Sequence, residues 1–146
     1  MLTVTLILKA SLLVPDPAGH LNRVKMPEDE GKAIVATCVK TSAPAHCAAV
    51  LVVLSFRESG NNFATVHDGG LGCGAFGLLC TFPHATWQEQ VDSAWSQVLK
   101  STLVCVEPLQ MYCSGSCTRG RKIAQEYMGI ARRIAPTLDD SARVSQ

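Results

Sequence analysis

Several things are missing from this chain, and each absence narrows its function. Charge of either sign is scarce: 13 Lys and Arg stand against 12 Asp and Glu in 146 residues, for a net charge of +1. Bulk charge therefore makes no case for a nucleic-acid partner. No apolar run reaches the ~20 residues that a membrane-spanning helix needs. The opening stretch MLTVTLILKASLLVP is too short, and Lys9 interrupts it. That stretch also makes a poor secretory leader, since it has neither a basic start nor a clear small-x-small cleavage site. There is no phosphate-binding glycine loop, no arrangement of a nucleophilic cysteine with histidine, no internal repeat and no low-complexity tract.

Cysteine, by contrast, is abundant. Cys38, Cys47, Cys73, Cys80, Cys105, Cys113 and Cys117 make seven. That density favours disulfides and an oxidising, extracytoplasmic setting (periplasmic, secreted or virion-associated). The rival reading is a set of buried, reduced cysteines acting as small hydrophobes. An odd count leaves at least one thiol unpaired within the chain. Spacing does not dictate the pairing, although Cys73 with Cys80, and Cys105 with Cys113 or Cys117, are candidate local staples. A zinc site drawn from His67, Cys73, Cys80, His84, Cys113 and Cys117 competes with these staples. Only Cys113 and Cys117 approach the short paired spacing that structural zinc prefers, and the expectation is no metal.

The hydrophobic share of 47% suits a globular protein with one real core. The expected organisation is an N-terminal arm over residues 1–26, a main domain over 27–136 and a frayed tail over 137–146. Alternation in Thr3-Val4-Thr5-Leu6 points to an edge strand or docking arm. Pro15, Pro17 and Gly19 mark a loop. Pro27 with Glu28, Asp29 and Glu30 opens a helix, because proline is tolerated in the first turn and acids there complement the helix dipole. A second helix starts at Pro44, with Ser42 placed to help cap it. From Ala45 to Phe56 nearly every residue is apolar, which suits a helix buried on all sides. A buried strand is the alternative, given Val50-Leu51-Val52-Val53.

Residues 60–75 are rich in turn formers and predict a glycine-rich wing with a short hairpin. Thr86-Trp87-Gln88-Glu89 is a capping-box sequence opening a helix with Val91, Ala94, Trp95, Val98 and Leu99 on one face. A last helix is expected from Thr118 to Pro136. Its basic residues Arg119, Arg121, Lys122, Arg132 and Arg133 form either a solvated face or a surface for an anionic partner. Trp87 and Trp95 are candidates for stacking on sugar rings, with Trp95, in its helical company, better suited to the core. The fold class is mostly α (α+β), with a buried central helix and a small β-hairpin wing.

Glu58 is the sharpest chemical feature. It stands where the long apolar helix stops. The surrounding apolar surface and the negative end of the helix dipole both disfavour its charge. A carboxyl kept protonated in this way is a general acid near neutral pH, and glycosidic bonds are cleaved by such acids. Ser59, Asn61 and Asn62 are placed to orient the carboxyl or a substrate. The plainer reading is a surface glutamate paired with Arg57.

Glu58-Ser59-Gly60, a polar gap, and then Gly74-Ala75-Phe76-Gly77-Leu78-Leu79 resemble the signature of lytic transglycosylases and goose-type lysozymes. The match spans about Pro44 to Cys80. The resemblance implies a lysozyme-like fold. It makes Glu58 the catalytic acid/base and Ser59 its support. A sugar cleft would be lined by Gly74, Ala75, Phe76, Gly77 and Leu78. The substrate would be the glycan strand of peptidoglycan, with no cofactor. Tyr112, in Leu109-Gln110-Met111-Tyr112, is the candidate for a later tyrosine of that family. Cys80 stands where the family has glutamine. A transglycosylase needs one acid/base, whereas an inverting hydrolase needs a second carboxylate ~6.5–9.5 Å away. Asp68 is the only acid between Glu58 and Glu89 and is the candidate, though Asp-Gly-Gly is also ordinary turn sequence. A non-catalytic role as a wall-binding or structural component of a phage particle or secretion machine is the alternative function.

Overall fold

The computed structural model describes residues 1–139. Its elements run α1 (Val4–Ser11), α2 (Glu28–Cys38), α3 (Pro44–Ser59), β1 (Val66–His67), β2 (Gly72–Cys73), β3 (Leu78–Leu79), α4 (Trp87–Val104), α5 (Gln110–Ser114) and α6 (Arg121–Leu138). The chain is mostly helical, with one small antiparallel sheet in the order β1-β2-β3. Among the described residues, no helix is long and apolar enough to cross a membrane. The expected frayed tail lies largely outside the described residues.

Helix α3 is the axis of the fold. Cys47 to Phe56 are all buried, ten residues in a row, as its all-round hydrophobicity demands. Helices α1, α2, α4 and α6 pack around it, α6 most extensively. Pro44 occupies the first turn, but Ala43 rather than Ser42 is the N-cap, and no side chain bonds there. The helix stops at Gly60, whose φ of 69° is open to glycine and strained for other residues. Its N–H closes on the Phe56 carbonyl at 2.7 Å, an αL cap. Glu58 is thereby fixed in the last turn.

The N-terminal segment corrects the expectation of an edge strand. Val4–Ser11 is helical and capped by the Thr3 hydroxyl, which accepts from the Leu6 N–H at 3.2 Å. Leu6, Ile7 and Ala10 are buried against α2, α3 and α6. Four alternating residues are too few to fix a strand once a cap and a helical apolar face compete with them. The last helix also departs from its expected bounds. It begins at Arg121 behind Gly120 and carries Pro136 within its final turn, ending on buried Leu138.

Three disulfides brace this frame. Cys38–Cys47 ties the end of α2 to α3, Cys73–Cys80 closes the hairpin, and Cys105–Cys117 ties α4 to the loop before α6. The last two are among the staples read from spacing, and Cys113 is the unpaired thiol. These bonds consume Cys73, Cys80 and Cys117, which removes them as zinc ligands. Three internal disulfides fit an oxidising compartment.

Glu30 behaves unlike an ordinary first-turn acid. It is fully buried, the Ser55 hydroxyl of α3 donates to its Oε1, and its Oε2 has no partner. Burial pushes its carboxyl up to about 7, partly offset by the Ser55 bond. The fold thus favours the protonated form. Between pH 4.5 and 7 the unfolded chain gives up this proton and the folded chain keeps it. Stability therefore falls with rising pH across that window and levels off above it, a change of about 3 kcal/mol. In Glu30→Gln that contribution is expected to vanish. Urea unfolding of both proteins at several pH values reads the difference, and parallel stability profiles would contradict the assignment.

Candidate functional site

The site grows from the end of α3. Glu58 is half-buried there. Tyr127 of α6 offers its hydroxyl to Glu58 Oε1 across a long 3.4 Å contact. On the other side lies Gly77. A β-carbon built on Gly77 would sit 3.5 Å from Glu58 Oε2 and 3.9 Å from His67 Cδ2. Its φ of 63° belongs to glycine as well. The left-handed turn at this glycine sets the hairpin backbone beside the carboxyl.

Burial raises the Glu58 carboxyl above its ordinary range, and the nearby Asp68 charge adds to this. The Tyr127 bond and the charges of His67 and Arg57 work in the opposite direction. Arg57 does not pair with Glu58. Its guanidinium donates to the Pro15 carbonyl at 2.9 Å, pairs with Glu126 and lies 5.5 Å over the Tyr127 ring. Arg57 thus braces the tyrosine that reaches Glu58. Tyr112 and Cys113 of α5 also sense Glu58. Burial, then the Glu58 charge, pushes the Tyr112 hydroxyl well up and the Cys113 thiol up to about 12. Both are therefore neutral beside Glu58.

The glycine segment approaches Glu58, but not with the side chains named from sequence. Ala75 and Phe76 are buried in the core, and Gly74 is buried too. Only Gly77 and Leu78 are partly exposed. Phe76 contributes its carbonyl, which accepts from the Tyr112 hydroxyl at 2.8 Å. Tyr112 therefore holds the hairpin rather than facing outward. Ser59 does not touch the Glu58 carboxyl. Its hydroxyl donates to the Ser55 carbonyl at 3.1 Å and accepts from the Asn62 N–H at 3.0 Å, shaping the turn after the helix. Asn61 is buried with φ 61° and reaches the Val24 carbonyl at 3.5 Å. Asp68 is exposed on the single 3₁₀ turn between β1 and β2, with φ 52°. Trp87 packs edge-on against Phe63 at 5.0 Å. Trp95 is half-buried.

Sequence reasoning missed Gln90 of α4, which holds the wing together. Its Oε1 accepts from the Ala75 N–H at 2.9 Å. Its Nε2 donates to the carbonyls of Phe63 and His84 at 3.1 and 3.0 Å. Any β-carbon on Gly74 would collide with it, at 2.6 Å from Oε1. The only signal was a glutamine on the apolar face of α4, one position before Val91. Tyr127 was legible as a buried-face residue of the last helix but not as a partner of Glu58.

A concavity of about 740 Å³ opens at the far end of α3 between Pro44–His46 and the end of α6. It is mostly apolar, and its lining includes Asp139. The exposed Arg119, Lys122, Arg132 and Arg133 stay in solvent, while Arg121 lies 3.5 Å from Glu107.

The chain matches no known family model, no curated protein and no solved structure.

Gln90→Ala removes three hydrogen bonds at once, one buried and two partly buried. Each orphaned group costs on the order of 1–3 kcal/mol, so a loss of several kcal/mol is expected, concentrated in the wing. Amide exchange at Ala75 should accelerate far more than exchange in α3. Uniform acceleration in both would show that Gln90 has no local role.

Proposed function

We propose that this chain is a lysozyme-like enzyme that cleaves the β-1,4 bond between N-acetylmuramic acid and N-acetylglucosamine in peptidoglycan, outside the cytoplasm. One observation carries the reading: a half-buried carboxyl at the end of a helix whose central ten residues are buried, raised by burial and backed by a glycine turn. A protonated Glu58 would donate to the glycosidic oxygen as the bond breaks, then take a proton back as base. The sugar would lie over Gly77 and Leu78, whose partial exposure leaves backbone at the surface.

A single half-buried acid beside the glycine turn favours transglycosylation, in which the muramic 6-hydroxyl attacks and leaves an anhydro end. Hydrolysis would have to rely on Asp68, which is exposed and whose carboxylate accepts no hydrogen bond among the described residues. The three disulfides support a periplasmic, secreted or virion-associated setting.

The alternative is a non-catalytic wall-binding role in a phage particle or secretion machine. It draws on Cys80, which is locked to Cys73 where the resembling families carry a glutamine. Glu58→Gln keeps the shape and removes the acid. Its clearing of purified cell walls is expected to fall by at least ~100-fold, the lower bound for loss of a general acid. Anhydro-ended products from the unaltered protein would identify a transglycosylase and reducing ends a hydrolase. A Glu58→Gln protein that clears walls normally would remove Glu58 from the chemistry, and an unaltered protein that yields no products would leave the binding role.

A further inference from the structure

The groove between α2 and α4 plays no part in the chemistry proposed above. It is a concavity of about 530 Å³, and none of its lining residues is among those around Glu58. Helix α4 turns Val91, Ala94 and Val98 to the core. Its opposite face carries Asp92, Ser96, Leu99 and Leu103, spaced as one helical stripe, and all four are exposed. Leu103 is 87% exposed and Leu99 48%. Half-buried Trp95 extends the stripe into the groove. Single surface leucines need no explanation, but an aromatic ring and two leucines in line along a groove form a patch, and patches mark contacts.

Charge gives the groove a direction. Gln88 donates to the Ala33 carbonyl and to the Thr37 hydroxyl, and Asp92 accepts from that hydroxyl at 2.7 Å. Helix α2 thus climbs alongside α4. Its Lys40 lies beyond Asp92, on the side of Lys100 and Leu103. Neither lysine has an ion-pair partner among the described residues. Asp92 Oδ1 is taken by Thr37 and Gln88, which leaves Oδ2 for a cation.

A face that is acidic at one end, basic at the other and apolar between them is complementary to itself when turned end for end. A two-fold axis makes that match, because it sets one patch against the same patch of another copy.

We propose that this face docks a second copy of the chain, α4 against α4 and antiparallel. With the axis midway between Ser96 and Leu99, each Leu99 lies beside the second copy's Ser96 and Leu99. Each Lys100 then comes within about 4.5 Å along the helix of the second copy's Asp92, a gap that a lysine spans. Each Leu103 is covered at the level of the second copy's Asp92. The pairing is independent of the cell-wall function proposed above.

Analytical ultracentrifugation over a concentration series tests the pairing. The mass of the unaltered protein should rise from one copy to two. Leu103→Ser should weaken association by about 100-fold, since symmetry removes two covered leucines. Lys100→Glu should weaken it by about tenfold, since two attractions become repulsions. Both side chains are exposed, so both variants should melt like the unaltered protein. A single-copy mass at every concentration overturns the pairing. Association that Leu103→Ser leaves intact overturns it too. So does association that Lys100→Glu leaves unchanged, as in a parallel pair that sets lysine on lysine. A protein that stays single but sediments with phosphatidylglycerol vesicles, and ceases to as Leu103→Ser, would assign the face to an anionic lipid surface and also overturn the pairing.

Discussion

The structure depends on one constraint, the burial of α3 on every side. Ten consecutive buried residues require four other helices around them, and this fixes the direction in which the helix can end. Gly60 then stops it with a backbone conformation that strains other residues. Between these two facts Glu58 has little freedom. It sits in the last turn, half in the core, at the negative end of the helix dipole. Desolvation is the largest influence on its proton.

The wing is built to meet that carboxyl. Its strands are two residues each and could not stand alone in water. Three other devices hold them: the Cys73–Cys80 disulfide, the Gln90 side chain and the Tyr112 hydroxyl. With so much support from outside the sheet, the segment can use glycine freely at Gly74 and Gly77. Gly74 permits the close approach of Gln90, and Gly77 takes the left-handed turn beside Glu58. The hairpin's rigidity is borrowed from α4 and α5, and its contribution to the site is mostly backbone.

Much of the frame was legible because it is written in local chemistry. Pro44 and the unbroken apolar run announced α3, and Thr86 with Glu89 announced α4. The Thr86 hydroxyl does accept from the Glu89 N–H at 3.1 Å, although the Glu89 carboxylate returns to Ala85 rather than to Thr86. Close spacing gave Cys73–Cys80 and one of the two options for Cys105. The failures share a cause: they depend on contacts between distant segments. Four alternating residues said strand, while burial of Leu6, Ile7 and Ala10 against three helices said helix. The resemblance made Ala75 and Phe76 cleft residues, yet the core behind the hairpin takes their side chains. Glu30 read as a dipole-complementing acid, and nothing nearby in sequence revealed that Ser55 would enclose it. Asn61 read as a group to orient the carboxyl or a substrate, but in the turn after α3 it reaches the Val24 carbonyl.

The account is tested most directly by the Glu58 proton itself. The midpoint of its carboxyl carbon in the unaltered protein, followed by NMR across the acid-to-neutral range, should lie clearly above the ordinary 4.5 of a free glutamate. A midpoint at or below that value would mean that the buried helix end does not hold a protonated acid, and the proposed chemistry would lose its source.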